Sequence, residues 1–79
     1  MNYSDGNETR LGDHVAISGN HRGVVVACID RNEYSPEHPR EQWAYLGKGI
    51  MVNTDFGGLV HYADSTLEHM VLVSRANEP

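Results

Sequence analysis

The chain is poor in the features that stabilise or target many small proteins. It has a single cysteine, Cys28, so no disulfide forms within it. A lone cysteine suits a reducing compartment, which makes the cytoplasm the expected location. No apolar stretch approaches the roughly 18 residues of a membrane span; the longest uninterrupted run is Val24–Ile29. The opening residues, MNYSDGNETR, lack the apolar core of a secretory leader. No membrane partner is therefore expected. Basic residues are scarce: there are 6 Lys and Arg against 11 Asp and Glu, and the formal net charge is −5. No two of the cations are adjacent, so nucleic acid is disfavoured as a partner, although a local basic patch would suffice for it.

What remains is a chain of 79 residues, enough for one domain. At this size folding buries only about 60% of the unfolded surface, so stability has to come from tight packing or oligomerisation. Residues 1–10 and 75–79 read as flexible tails, with residues 11–74 as the domain.

Period-two patterning dominates that domain. Val15 and Ile17 alternate with His14, Ala16 and Ser18, which predicts a half-buried strand. A turn through Ser18-Gly19-Asn20-His21 leads into the β-branched run Val24–Ile29, a strand buried on both faces or strongly bent. Ile50–Thr54 and Leu59–Tyr62 flank the turn Asp55-Phe56-Gly57-Gly58 and form a second hairpin. Residues 63–68 carry cap-type side chains and predict one helical turn before a last strand at 69–73. Between the hairpins, Pro36 and Pro39 exclude strand from 31–46, which is either loop or a short helix opening at Pro39. The expected fold is all-β: a small five-stranded SH3-like barrel, with a long loop or short helix at 31–46 and one helical turn before the last strand.

Two resemblances bear on this. The segment LGDHVAISGNHRGVVVACID, residues 11–30, resembles a KOW motif through Gly12, Asp13, Val15, Ile17, Gly19, Gly23, Val25 and Ile29, over about a quarter of the chain. It implies an SH3-like barrel and a nucleic-acid contact, for which Arg22, Arg31, Arg40 and Lys48 are the candidates beside Tyr34 or Trp43. The segment GGLVHYADSTLE, residues 57–68, is similar to the plasmid-encoded type II dihydrofolate reductases, with Tyr62, Leu67 and Glu68 matching. That likeness implies a homo-oligomer with Val60, His61 and Tyr62 at the symmetry axis or ligand site. The ligand-facing glutamine of that family is Val60 here, which speaks against reductase activity.

No catalytic constellation stands out. The five histidines have no metal-ligand spacing, and no metal or cofactor is expected. The carboxylates form no acid–base pair, and Cys28 lies in an apolar strand, as a core residue would. The best functional lead is aromatic: Tyr34, Trp43 and Tyr45 lie in or beside 31–46, and such residues anchor peptides in binding grooves. The competing role for Trp43 is a core plug. The expectation is a small non-enzymatic module that binds a protein or peptide through 31–46 and the adjacent strands. The alternatives are a KOW-like nucleic-acid domain and a homo-oligomer with an axial small-molecule site.

Overall fold

A computed structural model describes residues 2–63, 66–67 and 69–75. Its strands are β1 (Asn2–Tyr3), β2 (His14–Ile17), β3 (His21–Cys28), β4 (Glu33–Tyr34), β5 (Ile50–Thr54), β6 (Gly58–Tyr62), β7 (Thr66–Leu67) and β8 (Met70–Ser74). The main sheet is antiparallel in the order β6-β5-β3-β2-β8, and the short β4 adds to β3. All five strands expected from alternation are present. Among the described residues the sheet is open, with β6 and β8 as its two ends, so the expected barrel closure is not seen.

Alternation gives the sheet two unlike faces. On the inner face Val15, Ile17, Val25, Cys28, Ile50, Val52 and Met70 form the main core, with Tyr62 and Leu72 packed against it. The outer face carries a smaller cluster of Val26, Ala27, Ile29 and Met51. One strand can serve both because β3 holds an extra residue opposite β5: Val25 pairs with Val52, and Ala27 with the next residue, Met51. This bulge lets Val25 and Cys28, three residues apart, share the inner face. It is the physical form of the bend expected in the Val24–Ile29 run.

The 31–46 insertion is folded rather than irregular. Its helix, α1 (Arg40–Trp43), has Pro39 as N-cap and runs into a 3-10 turn, Ala44–Leu46. Tyr34, Trp43 and Leu46 pack on the outer cluster, so the insertion roofs one half of the outer face.

Three expectations are corrected. Strand is not excluded from 31–46: Glu33–Tyr34, ahead of both prolines, pairs with Ala27 and Cys28 as β4. Residues 2–10 are not a loose tail. Tyr3 is only 3% exposed and belongs to the main core, β1 pairs in parallel with β7, and Thr9 is buried. The segment is held because Tyr3 combines an apolar ring with a hydroxyl that has a buried acceptor, Asp13. Thr66–Leu67, expected within a helical turn, is strand, because it supplies the partner that β1 needs. Asp64, Ser65 and Glu68 of that expected turn, and residues 76–79 of the expected C-terminal tail, lie outside the described residues. No helix among the described residues is long and apolar enough to cross a membrane.

Candidate functional site

The outer face is only half roofed. Along β3 and β5 the outward positions beyond the Val26–Met51 cluster are Val24 and Asn53, which are paired to each other. Val24 also pairs with His14 on β2, and His14 with Ser74 on β8. This row of side chains lies in an open groove of about 490 Å³, which Arg22, Asp55 and Val73 also line. A second bulge shapes one wall. Between His14 and Val15 the pairing with β8 skips from Ser74 to Leu72, leaving Val73 as the surplus residue. Val73 is 56% exposed, and Val71, opposite Ala16, is exposed as well. An apolar floor and wall (Val24, Val73) thus meet a polar rim (His14, Asn53, Ser74).

One end of the groove is fixed by Asp55. Its Oδ2 accepts from the Arg22 backbone N–H at 3.0 Å, its Oδ1 lies 3.2 Å from His21 Nδ1, and its own N–H donates to the Arg22 carbonyl at 3.0 Å. The His21 ring also meets Phe56, with centroids 4.8 Å apart. The carboxylate is therefore committed to tying the β5–β6 turn to the start of β3. Of the groove's lining, His14, Asn53 and Ser74 are the polar side chains beside Arg22 and this tied carboxylate.

The residues singled out from sequence divide. Tyr34 and Trp43 pack on the same outer cluster and fasten the insertion down. The Trp43 Nε1 is buried and has no hydrogen-bond partner among the described residues. His38 neighbours Trp43 at 6.5 Å between ring centroids and is held by Ser35, whose Oγ lies 2.8 Å from His38 Nδ1. Tyr45, two residues beyond Trp43 on a helical path, points the other way and is 77% exposed. Of the three aromatics it is the exposed one, Tyr34 and Trp43 being partly buried.

Val60, His61 and Tyr62 are split by strand alternation. Val60 pairs with Val52 and Tyr62 with Ile50, both on the inner face; His61 pairs with Met51 on the outer one, and its Nε2 lies 2.8 Å from the Lys48 carbonyl oxygen. Burial pushes the Tyr62 phenol above its ordinary pKa. Of the cations considered for nucleic acid, Arg31 pairs with Glu8 and lies 3.5 Å from Glu33, while Arg40 Nε donates to Asn32 Oδ1 at 2.8 Å. Among the described residues no three His, Cys, Asp or Glu side chains group as a metal site. Cys28 is fully buried, and burial raises its thiol pKa, the reverse of what a nucleophile needs.

The groove was not legible as a site because its residues come from four strands. The outward phase of each strand was readable, but the strand order and the Val73 bulge were not. No known protein family matches the chain, and neither does any curated protein or solved structure.

Proposed function

We propose that the chain is a small non-enzymatic binding module that takes an extended segment of a protein or peptide partner on the outer face of its sheet. The segment lies in the groove where the roof formed by 31–46 stops. The observation that carries this reading is the half-covered face: Val24 and Val73 remain in an open groove with a polar rim, while the neighbouring Val26 and Met51 are covered. Tyr45, exposed on the insertion, is the aromatic available to extend the contact. The fold assigned to this module is of the SH3-like type. In support, β2, β3, β5 and β6 form a meander and β8 returns beside β2, at its start. The single thiol, free and buried, fits the reducing cytoplasm.

The test is selection from a displayed peptide library, followed by chemical-shift mapping of the best binder on the labelled protein. Shifts are expected at His14, Val24, Asn53 and Val73. Val73→Asp, at a half-exposed position, should leave the melting temperature within a few degrees and weaken binding at least tenfold; Tyr45→Ala should weaken it less. Binding that ignores Val73→Asp, or shifts confined to other surfaces, would overturn the reading.

A further inference from the structure

The two edges of the main sheet are treated differently. At β8 the outer edge is occupied. Ser4 places both its N–H and its Oγ on the Met70 carbonyl, each at 3.0 Å, and Asp5 Oδ2 accepts from the Leu72 N–H at 3.3 Å. A short polar segment thus blocks further strand addition there. At β6, among the described residues, the backbone hydrogen bonds all run to β5. Its sequence, Gly58-Leu59-Val60-His61-Tyr62, contains no Lys, Arg, Asp, Glu or Pro, so it lacks the usual edge-protecting residues.

We propose that two copies of the chain pair antiparallel through β6, about a two-fold axis at Val60. The orientation of the backbone supports it. The Tyr62 carbonyl faces β5, because a Cβ built on Gly49 would lie 2.2 Å from it. Alternation then turns the N–H and C=O groups of Leu59 and His61 toward the free edge. In the self-paired register Leu59 meets His61 of the second copy twice, and each pair exchanges two backbone hydrogen bonds. Val60 faces Val60, a β-branched pair, and Gly58 faces Tyr62, whose ring covers the bare glycine. The chain is acidic overall at −5, but β6 carries no Asp or Glu, so self-pairing sets no carboxylate of the strand against its like. Leu59, 40% exposed, gains cover. A five-residue strand is short of the roughly 1,200–2,000 Å² of a standard interface, so the dimer is a weak one that dissociates on dilution.

This contact does not use the groove, whose lining comes from other strands, so the two proposals stand or fall separately. The test is sedimentation equilibrium of the full chain from about 10 µM to 1 mM, at which upper end the dimer is expected to prevail. Leu59→Lys should raise the dissociation constant at least tenfold without moving the thermal midpoint of the dilute monomer. In parallel, Val60→Cys should form a disulfide-linked dimer under mild oxidation, since facing residues at a non-hydrogen-bonded position lie about 4.5 Å apart between Cα atoms. Val71→Cys, on the blocked edge, should not. A monomeric mass at every concentration overturns the proposal. So does a dimer that is indifferent to Leu59→Lys, or crosslinking of the Val71→Cys variant as efficient as that of Val60→Cys.

Discussion

The Tyr3 hydroxyl donates to Oδ2 of Asp13 across 2.5 Å, joining two buried residues ten positions apart. The same carboxylate accepts from the Arg10 backbone N–H at 2.9 Å, and the Arg75 guanidinium lies 3.2 Å from its Oδ2 and 3.3 Å from its Oδ1. One side chain therefore gathers the N-terminal segment, the turn before β2 and the residue after β8. Asp13→Ala strands the Tyr3 hydroxyl and the Arg10 N–H, and is expected to cost about 2–4 kcal/mol. Tyr3→Phe, which leaves the ring in place, should cost about 1–2 kcal/mol. Denaturant midpoints of the two single variants and the double variant check both figures. The coupling in that cycle should be favourable, because the residues share a hydrogen bond.

The same contact should make the fold less stable at alkaline pH. Burial, then the hydrogen bond and charge of Asp13, push the Tyr3 phenol far above its ordinary value near 10. The folded state holds the neutral phenol, whereas the unfolded chain ionises it near pH 10. The stability this contributes is complete below pH 10 and is lost as pH rises beyond it. Denaturant titrations at pH 8, 10 and 11 should show the wild type falling more steeply than Tyr3→Phe. Equal slopes would mean that Tyr3 ionises in the folded protein as it does in the unfolded chain.

Gly49 holds a conformation and a space that no other residue fits. Its φ is +93°, and a Cβ would lie 2.2 Å from the Tyr62 carbonyl oxygen and 2.9 Å from the Ala63 Cα. Both obstacles are backbone, so relief requires pulling β5 from β6. Gly49→Ala should cost at least about 3 kcal/mol or prevent folding. Gly47, at φ +81° with open space around it, is the control: Gly47→Ala should cost about 1 kcal/mol from the backbone alone. Thermal melts of both variants distinguish crowding from strain.

Trp43 and Tyr45 should separate by role. Trp43→Ala removes the ring that seats the insertion on Val26 and Met51, with an expected loss of about 1–3 kcal/mol. Tyr45→Ala, at an exposed position, should stay within about 0.5 kcal/mol. Trp43 is the sole tryptophan, so its emission should be blue-shifted in the folded protein and should report the roof lifting. Equal losses from the two substitutions would contradict this division.

Much of the fold was written locally. Alternation at Val15 and Ile17, the run from Val24, and the glycine-rich turn at 55–58 each declare themselves within a few residues. His61 and Tyr62, neighbours on a strand, face opposite ways as period two requires. What was not legible depends on distant partners. Tyr3 sits in a polar stretch, and nothing nearby reveals that Asp13 and Thr66–Leu67 receive it and its strand. Asp13, noted only within the KOW-like segment, is a buried acceptor whose partners include Arg75 at the other end of the chain. The path of 31–46 was open between loop and helix, and the two put Tyr45 on different sides relative to Trp43. The helical path sends Trp43 to the sheet and Tyr45 to solvent.

The surplus residue in β3 has one more consequence. Because Val26 is surplus between Val25 and Ala27, the side chains of Tyr34, Trp43 and Leu46 rest on Val26, Ala27, Ile29 and Met51, none of which belongs to the inner cluster. The domain is modular across the thickness of one strand. A change at an exposed position of the segment between Asn32 and Gly47, such as Tyr45, therefore leaves the packing of the inner core as it is.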